Sequence, residues 1–466
     1  MDNVTALRSA KRKMPMDTEE RNAAETLKEL LDTKQYTVLR QTMEDMQDAD
    51  IAAVMDEMED EDTLKMFRLL PKDMAADVFA QLEIDAQQYI IQSLSESESA
   101  SVIDNLMADD ATDLLEEMPA NVVRKILANA KPETRADINR LMQYPEDSAG
   151  SIMTVEYVDL KEEMTVADAI ERIRTIGLDS ETINICYVVD KQRILKGTVA
   201  LRYLLIRKND EKIGDIMNEN VVSITTTTDQ EEAAALFKKY DFTAMPVVDN
   251  EDRMVGIITI DDVVDIIDEE ATEDIEKMAA IIPTEKPYFR TTTLDTYKKR
   301  MPWLLILMIS ATFTGKIITS YENALAACTV LTAYIPMLMD TGGNSGSQAS
   351  VSIIRGLSLK EIEFRDFFRV IWKEMRVAVL CGLTLAGINF IKLMLLDRIT
   401  VPVALVVCIT MVFVVLFAKC IGAVLPLVAD RLGFDPAVMA SPLLTTIVDA
   451  VSLLIYFSIA TRLLHL

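Results

Sequence analysis

Ala437-Val438-Met439-Ala440-Ser441-Pro442-Leu443-Leu444-Thr445-Thr446-Ile447-Val448-Asp449-Ala450-Val451-Ser452-Leu453-Leu454-Ile455-Tyr456-Phe457 is an apolar run with a single carboxylate, Asp449, near its centre. Inside a bilayer a carboxylate at that depth costs about 2.5–3.5 kcal/mol on insertion scales, so it needs a partner or a function. At helical spacing Ser441, Thr445, Asp449, Ser452 and Tyr456 share one stripe, with Leu, Ile, Val and Phe opposite. That stripe is expected to face a water-filled path rather than lipid. Two other readings stay open. Asp449 could pair with a lysine in another apolar stretch, Lys316 or Lys419, as structural glue; or it could relay protons, although no second carboxylate or histidine lies deep enough to receive one.

Working outward, five apolar stretches run over about 303–320, 324–354, 376–396, 401–428 and 437–464, each able to supply the roughly 20 residues a crossing needs. The second contains Thr341-Gly342-Gly343-Asn344-Ser345-Gly346-Ser347-Gln348, a polar, glycine-rich patch. The expectation is irregular backbone there, tolerated only against protein or a water-filled cavity, with a plain loop between two short segments as the alternative. Lys298, Lys299 and Arg300 precede the first span, and Arg355, Lys360, Arg365, Arg369, Lys373 and Arg376 lie between the second and third. By the positive-inside rule both groups are cytosolic, which leaves the N-terminus inside and the C-terminus outside.

The rest of the chain is of another kind. Residues 1–300 hold 64 of the 74 acidic residues and 35 of the 47 basic ones, whereas residues 301–466 are close to neutral. So negative a half argues against nucleic acid and for cations as partners, although an acidic surface also simply keeps a protein soluble. Five cysteines without a Cys-x-x-Cys, and a single histidine, His465, make a zinc or other soft-metal site a poor fit and leave hard, oxygen-ligated metals open. Arg8, Lys11, Arg12 and Lys13 are followed by no apolar h-region, so no cleavable signal peptide is visible and the first half is expected in the cytosol.

Two repeats organise that half. Met46, Met58, Leu70, Leu82, Leu94, Leu106, Met118, Ala130 and Met142 recur every twelve residues, and Val54, Met66, Val78, Ile90, Val102, Leu114, Ile126 and Ile138 form a second series. Pro71 and Pro119 follow the first series by one residue, where one short helix ends and the next begins. This predicts a helical solenoid whose units bury their faces only against neighbours. Acidic runs such as Asp56-Glu57-Met58-Glu59-Asp60-Glu61-Asp62 suit solvation as well as ion binding.

The second repeat spans about 64 residues. Ser151-Ile152-Met153-Thr154 matches Asp215-Ile216-Met217-Asn218, and each copy ends in a strand pair: Ile185 to Asp190 with Gly197 to Val199, and Ala244 to Asp249 with Gly256 to Thr259. The pattern resembles a tandem pair of cystathionine-β-synthase-type (CBS) modules, which implies a regulatory sensor, often of adenine nucleotides. An acidic amphipathic helix from Asp261 to Glu276 follows. Repulsion among its carboxylates favours an open arrangement unless a divalent cation bridges them, and a helix that merely connects is the other reading.

In order and motifs the chain resembles the MgtE family of magnesium channels over nearly its whole length from about residue 40. The segments carrying the resemblance are Asp261 to Ile275, Thr341 to Gln348 with Ile353-Ile354-Arg355, and Asp435-Pro436-Ala437 through Asp449 to Tyr456-Phe457. It implies a multidomain chain: a flexible segment 1–40, an all-α helical-solenoid N domain 41–147, α/β tandem CBS modules 148–210 and 211–268, an acidic connecting (plug) helix 269–300, and a five-helix α transmembrane domain 301–466. It further implies a homodimer in the plasma membrane whose pore, at the subunit interface, holds a hydrated Mg²⁺ at Asp449 and the Thr445 carbonyl. Ser441, Ser452, Gly342, Gly343, Asn344, Gly346 and Gln348 are the pore-lining and motif residues. The regulatory Mg²⁺ carboxylates carried over are Glu231, Asp241, Asp262, Asp265, Glu270, Glu273, Asp274 and Asp435, which would draw the cytosolic domains together and close the pore. Mg²⁺ suits a site with one or two carboxylates, because it keeps several waters. Asp340 stands where a small or apolar residue is expected in relatives.

The expected function is therefore passive Mg²⁺ uptake closed by cytosolic Mg²⁺, with an adenine nucleotide at the CBS modules left open. The competing reading is a CBS-type nucleotide sensor or signalling protein for which the spans are only an anchor. No phosphate loop, no Ser/His/Asp set and no histidine placed for acid–base work point to an enzyme.

Overall fold

The twelve-residue period becomes a run of short helices in the computed structural model, which describes residues 18–284, 288, 291–439 and 441–465; the side chains of residues 18–22, 72, 73 and 441 lie outside that description. Two compact units divide at Ile267/Asp268.

Among the described residues of the first unit ten helices form the solenoid: α1 (Thr18–Asp32), α2 (Tyr36–Glu44), α3 (Asp48–Asp56), α4 (Asp60–Phe67), α5 (Lys72–Ala80), α6 (Ile84–Ser93), α7 (Glu96–Ile103), α8 (Ala108–Glu116), α9 (Ala120–Asn129) and α10 (Pro132–Leu141). Val54, Met66, Val78, Ile90, Leu114, Ile126 and Ile138, seven of the second apolar series, are all buried, and Val102 packs at the edge of the same core. Pro71 and Pro119 stand at the N-caps of α5 and α9, where the missing N–H is no loss. Ser95 and Glu98 cap α7 reciprocally. The flexible segment expected over 1–40 needs correction. Residues 1–17 lie outside the described residues, but α1 and α2 are helical, and Leu27, Leu31 and Leu39 are buried in the solenoid core, so apolar burial orders the chain well before residue 40.

The two repeated α/β modules follow with β1 (Tyr157–Leu160), α11 (Val166–Ile176), β2 (Thr182–Val189), β3 (Leu195–Ala200), α12 (Leu201–Ile206), α13 (Ile213–Ile216), β4 (Ile224–Thr225), α14 (Gln230–Tyr240), β5 (Ala244–Val248) and β6 (Met254–Thr259). The two sheets have orders β1-β2-β3 and β4-β5-β6, each with a parallel then an antiparallel pairing. The repeated tetrapeptides cross between modules. Thr154 exchanges both backbone hydrogen bonds with Ile257 of the second sheet, and its counterpart Asn218 does the same with Thr198 of the first. Gly197 and Gly256 permit this, since a Cβ on Gly256 would stand 2.6 Å from the Thr154 carbonyl and one on Gly197 would stand 2.8 Å from the Met217 sulfur.

Helix α15 (Ile260–Met278) starts directly from β6 and runs unbroken across the division between units. It therefore begins nine residues before the connecting helix expected over 269–300, and residues 293–300 belong instead to α16 (Thr293–Ser320). After α16 come α17 (Glu322–Ala327), a 3₁₀ turn over Thr329–Tyr334, α18 (Ile335–Ser358), α19 (Phe367–Leu395), α20 (Val401–Arg431) and α21 (Ser441–Leu464). Among the described residues four helical stretches are long and apolar enough to cross a membrane, those containing α16, α19, α20 and α21. The second expected span, 324–354, is broken at Cys328–Tyr334, upstream of the glycine patch. The patch itself is regular helix inside α18, which corrects the expectation of irregular backbone or a loop there. The glycines cost that helix propensity, and close packing of its neighbours offsets the loss.

Candidate functional site

Glycines decide how near α18 comes to its neighbours. A Cβ on Gly342 would stand 2.8 Å from Ser452 Oγ and from Val414 Cγ1, and one on Gly343 would stand 3.0 Å from Thr445 Cγ2. A Cβ on Gly422 would run into the Gly346 carbonyl. The patch is thus a small-residue face that brings α18 against α20 and α21, as membrane helices use small residues generally.

This contact resolves the stripe on α21 into parts. Ser452 is 2% exposed and faces Gly342. Tyr456 is fully buried and its hydroxyl donates to the Leu331 carbonyl at 2.9 Å, tying α21 to the 3₁₀ turn. Both are packed in protein, so the expectation that the whole stripe faces water fails at this end: Gly342 lets α18 close over Ser452. Ser441 starts α21, and its side chain lies outside the described residues.

Asp449 remains. It is half-buried, and its Oδ1 is shielded from solvent without any hydrogen-bond partner. Lys419 is 5% exposed on α20 and Lys316 is exposed on α16, and among the described residues neither forms an ion pair with Asp449. The structural-glue reading therefore finds no support in the geometry. Asp340 lies near enough for its charge to act on Asp449. Asp340, Asn344 and Gln348 are exposed one turn apart along α18, and Asn344 Nδ2 donates to Asp340 Oδ1 at 3.0 Å.

A second set of carboxylates gathers within the first unit. Asp109 and Asp110 open α8, Glu156 precedes β1, Glu181 precedes β2, and Asp261 and Asp262 form the first turn of α15. Asp109 is 8% exposed, and its Oδ1 has no hydrogen-bond partner. Burial, then the charges of Asp110 and Asp262, hold its carboxyl well above the usual range. Asp110, open to water on one side, is raised to about 6 by the protein crowded around it and then by Asp261 and Glu156. Burial lifts Glu181 to about 7, with Asp261 and Asp262 adding to it. Asp262 is lifted to about 6 by burial, although Thr259 Oγ1 donates to it at 2.8 Å. Glu156 accepts from Thr154 Oγ1 at 2.6 Å and from the Val155 N–H at 3.1 Å.

Of these six, the sequence singled out only Asp262 as a site residue. The solenoid carboxylates were too interchangeable to rank, and no linear signal brings α8 to the start of α15. Asp109 is buried beside Ala108, which packs into the core of the second sheet rather than that of the solenoid, a placement only the folded chain reveals.

The remaining expected carboxylates are dispersed. Glu231 lies exposed in the first turn of α14, and Asp241 lies exposed at its C-cap with φ +52°. Asp265, Glu270, Glu273 and Asp274 lie along α15. Asp435 sits just before the 3₁₀ turn Pro436–Met439 that leads into α21. Among the described residues no three His, Cys, Asp or Glu side chains are placed to hold one metal ion directly.

Three family models match successive parts of the chain: the MgtE intracellular N domain over residues 46–147, the CBS domain over residues 213–269, and MgtE, a divalent cation transporter, over residues 335–459. The magnesium transporter MgtE of Thermus thermophilus is 39% identical over 451 residues, 96% of this chain and 99% of that one. That of Bacillus subtilis is 32% identical over 426 residues, 91% of this chain and 94% of that one. Among solved structures, the soluble part of a magnesium transporter gives a TM-score of 0.51 at 30% identity, over 54% of this chain and 99% of that chain. The cytosolic domain of the Mg²⁺ channel MgtE in complex with ATP gives 0.50 at 38% identity, over 52% of this chain and 99% of that chain. With relatives aligned along nearly its full length and several helices fit to cross a bilayer, this chain is a multi-pass membrane protein and belongs to the MgtE family of magnesium transporters.

Proposed function

We propose that the protein is a Mg²⁺ channel that admits the hydrated ion passively along Asp449 and closes when cytosolic Mg²⁺ is high. The observation that carries this reading is Asp449 itself, a membrane-helix carboxylate with a shielded, unpartnered oxygen and, among the described residues, no lysine paired to it. Such a group is retained for a ligand it meets in function. Mg²⁺ gives up its hydration shell reluctantly, so Asp449 would accept hydrogen bonds from the ion's waters and supply the neutralising charge. Thr445 lies one turn before Asp449; its carbonyl already accepts the intrahelical N–H and keeps one lone pair for a further water.

Other features support the finer points. The exposed polar line Asp340, Asn344 and Gln348, whose first member acts on Asp449, suits a wet path completed by a second copy of the chain, which would double the carboxylates around one ion. In this reading the N-terminal domains are cytosolic and the C-terminus is outside. Asp109, Asp110, Glu181 and Asp262 are the carboxylates whose mutual repulsion Mg²⁺ would relieve, drawing solenoid and CBS modules together. Closure is then a population shift toward the state that binds the ions better. Glu231, Asp241, Asp265, Glu270, Glu273, Asp274 and Asp435 are proposed regulatory positions on the family resemblance. ATP is the nucleotide proposed for the CBS pair, because a relative's cytosolic domain is known in complex with it.

Purified protein in liposomes tests the reading. Mg²⁺ entry down its gradient, suppressed by millimolar Mg²⁺ on the face carrying the N-terminal domains, is expected. Nucleotide binding with no Mg²⁺ flux would favour the sensor reading instead.

A further inference from the structure

Lys277 lies in the last turn of α15 with its Nζ 2.6 Å from Glu273 Oε1, one turn earlier, and 2.7 Å from Asp435 Oδ2. Asp435 belongs to the short connection from α20 to α21, the helix of Asp449, and its other oxygen accepts the Ala437 N–H at 2.7 Å. Next to the ammonium, Met278, Ile354 and Ala437 form a small apolar cluster that joins α15, α18 and the turn before α21. The Lys277 side chain is 22% exposed, so this pairing is better shielded than an ordinary surface ion pair. Burial by itself would lower the lysine pKa. The hydrogen bonds and charges of Asp435 and Glu273 outweigh it and raise the value, which keeps the ammonium charged.

We propose that Lys277 is a tethered cation that joins Glu273 to Asp435 and holds the last turn of the connecting helix at the foot of the Asp449 helix without a metal ion. Glu273 and Asp435 are two of the carboxylates that family resemblance would give to regulatory Mg²⁺. In this arrangement one ammonium, with donors to both, does the neutralising. A single charge on a covalent tether is desolvated more easily than Mg²⁺ and is always at hand. Lys277 is thus a positioning residue. It sets how much of the contact between connecting helix and pore exists before Mg²⁺ binds, and so how much Mg²⁺ must add. Without it, two carboxylates face each other across the gap and repel, and Mg²⁺ must fill the place.

Two measurements test this. The first reads the contact alone: with the five native cysteines replaced, Met278→Cys and Ala437→Cys are crosslinked by a short thiol reagent in full-length protein in EDTA. Crosslinking is expected with Lys277 and with Lys277→Arg, and is expected to be lost in Lys277→Met and regained with millimolar Mg²⁺. Equal yields in EDTA for lysine and methionine would overturn the proposal. The second reads function and rests on the gating proposed above: the Mg²⁺ concentration that half-closes the channel in liposomes is expected to rise about tenfold in Lys277→Met and to stay near wild type in Lys277→Arg. A fall in that concentration would mean that the lysine competes with Mg²⁺ for the two carboxylates, and would overturn the proposal. Flux with no response to Mg²⁺ in any variant would refute the gating reading, while the crosslinking arm would still decide the role of Lys277.

Discussion

Gly342 of α18 lies so close to Ser452 of α21 that a Cβ on the glycine would stand 2.8 Å from the serine Oγ. The two helices touch through a missing side chain. Gly422 of α20 is tighter still, because the obstacle is the Gly346 backbone rather than a movable side chain. Gly422→Ala is therefore expected to destabilise the membrane unit by about 1–3 kcal/mol, as overpacking does. Gly387→Ala, with nothing within 4 Å, should be neutral or slightly stabilising. Thermal unfolding in detergent distinguishes the two, and equal loss in both would contradict the packing account.

Tyr456 donates to the Leu331 carbonyl from a fully buried position. Tyr456→Phe keeps the packing and leaves that carbonyl without its donor, at a cost of about 1–2 kcal/mol. The expected result is a lower unfolding midpoint with Mg²⁺ selectivity unchanged. A selectivity change at full stability would place the hydroxyl in the ion path instead.

The acidic group around α8 and the start of α15 predicts a pH dependence. Asp110 and Asp262 are raised to about 6 and Glu181 to about 7 in the assembled arrangement, against ordinary values near 4 when these segments are apart. Raised carboxyl groups work against the arrangement fully above pH about 7, and the penalty shrinks as pH falls toward about 4. Without Mg²⁺, protection of the first unit from protease should therefore increase from pH 8 to pH 5.5, and the extra protection given by Mg²⁺ should shrink. Protection that decreases with falling pH would contradict the assignment.

Asp109→Asn removes the most deeply buried of these charges while keeping its shape. It is expected to stabilise the metal-free first unit by on the order of 1 kcal/mol and to weaken the response to Mg²⁺. A urea titration with and without Mg²⁺ measures both. Destabilisation without metal would mean that the carboxylate already has a favourable partner.

Much of this was legible in the sequence, for physical reasons. Apolar side chains recurring every twelve residues had to share a core, and the matched tetrapeptides at Ser151 and Asp215 had to occupy equivalent places; both follow from periodicity and repetition. The glycine patch misled because glycine weakens a helix in isolation but enables helix contact in a packed membrane unit, and only the neighbours Ser452, Thr445 and Ala418 distinguish the two. The break at Cys328–Tyr334 gave no signal, since that stretch is as apolar as the helices around it. Asp109 and Asp110 were hidden among equivalent acids until the fold set them against Asp262. The bond of Lys277 to Asp435 joins residues 158 positions apart, and no local pattern announces it.

Mg²⁺ flux into liposomes by Asp449→Ala, compared with wild type at equal reconstitution and with the cytosolic face free of Mg²⁺, decides whether Asp449 lies on the ion path. Loss of selective Mg²⁺ flux by a factor of about 10 or more is expected, with the protein still folded and inserted. Selective Mg²⁺ flux retained at the wild-type rate would show that the ion takes a path on which Asp449 does not lie.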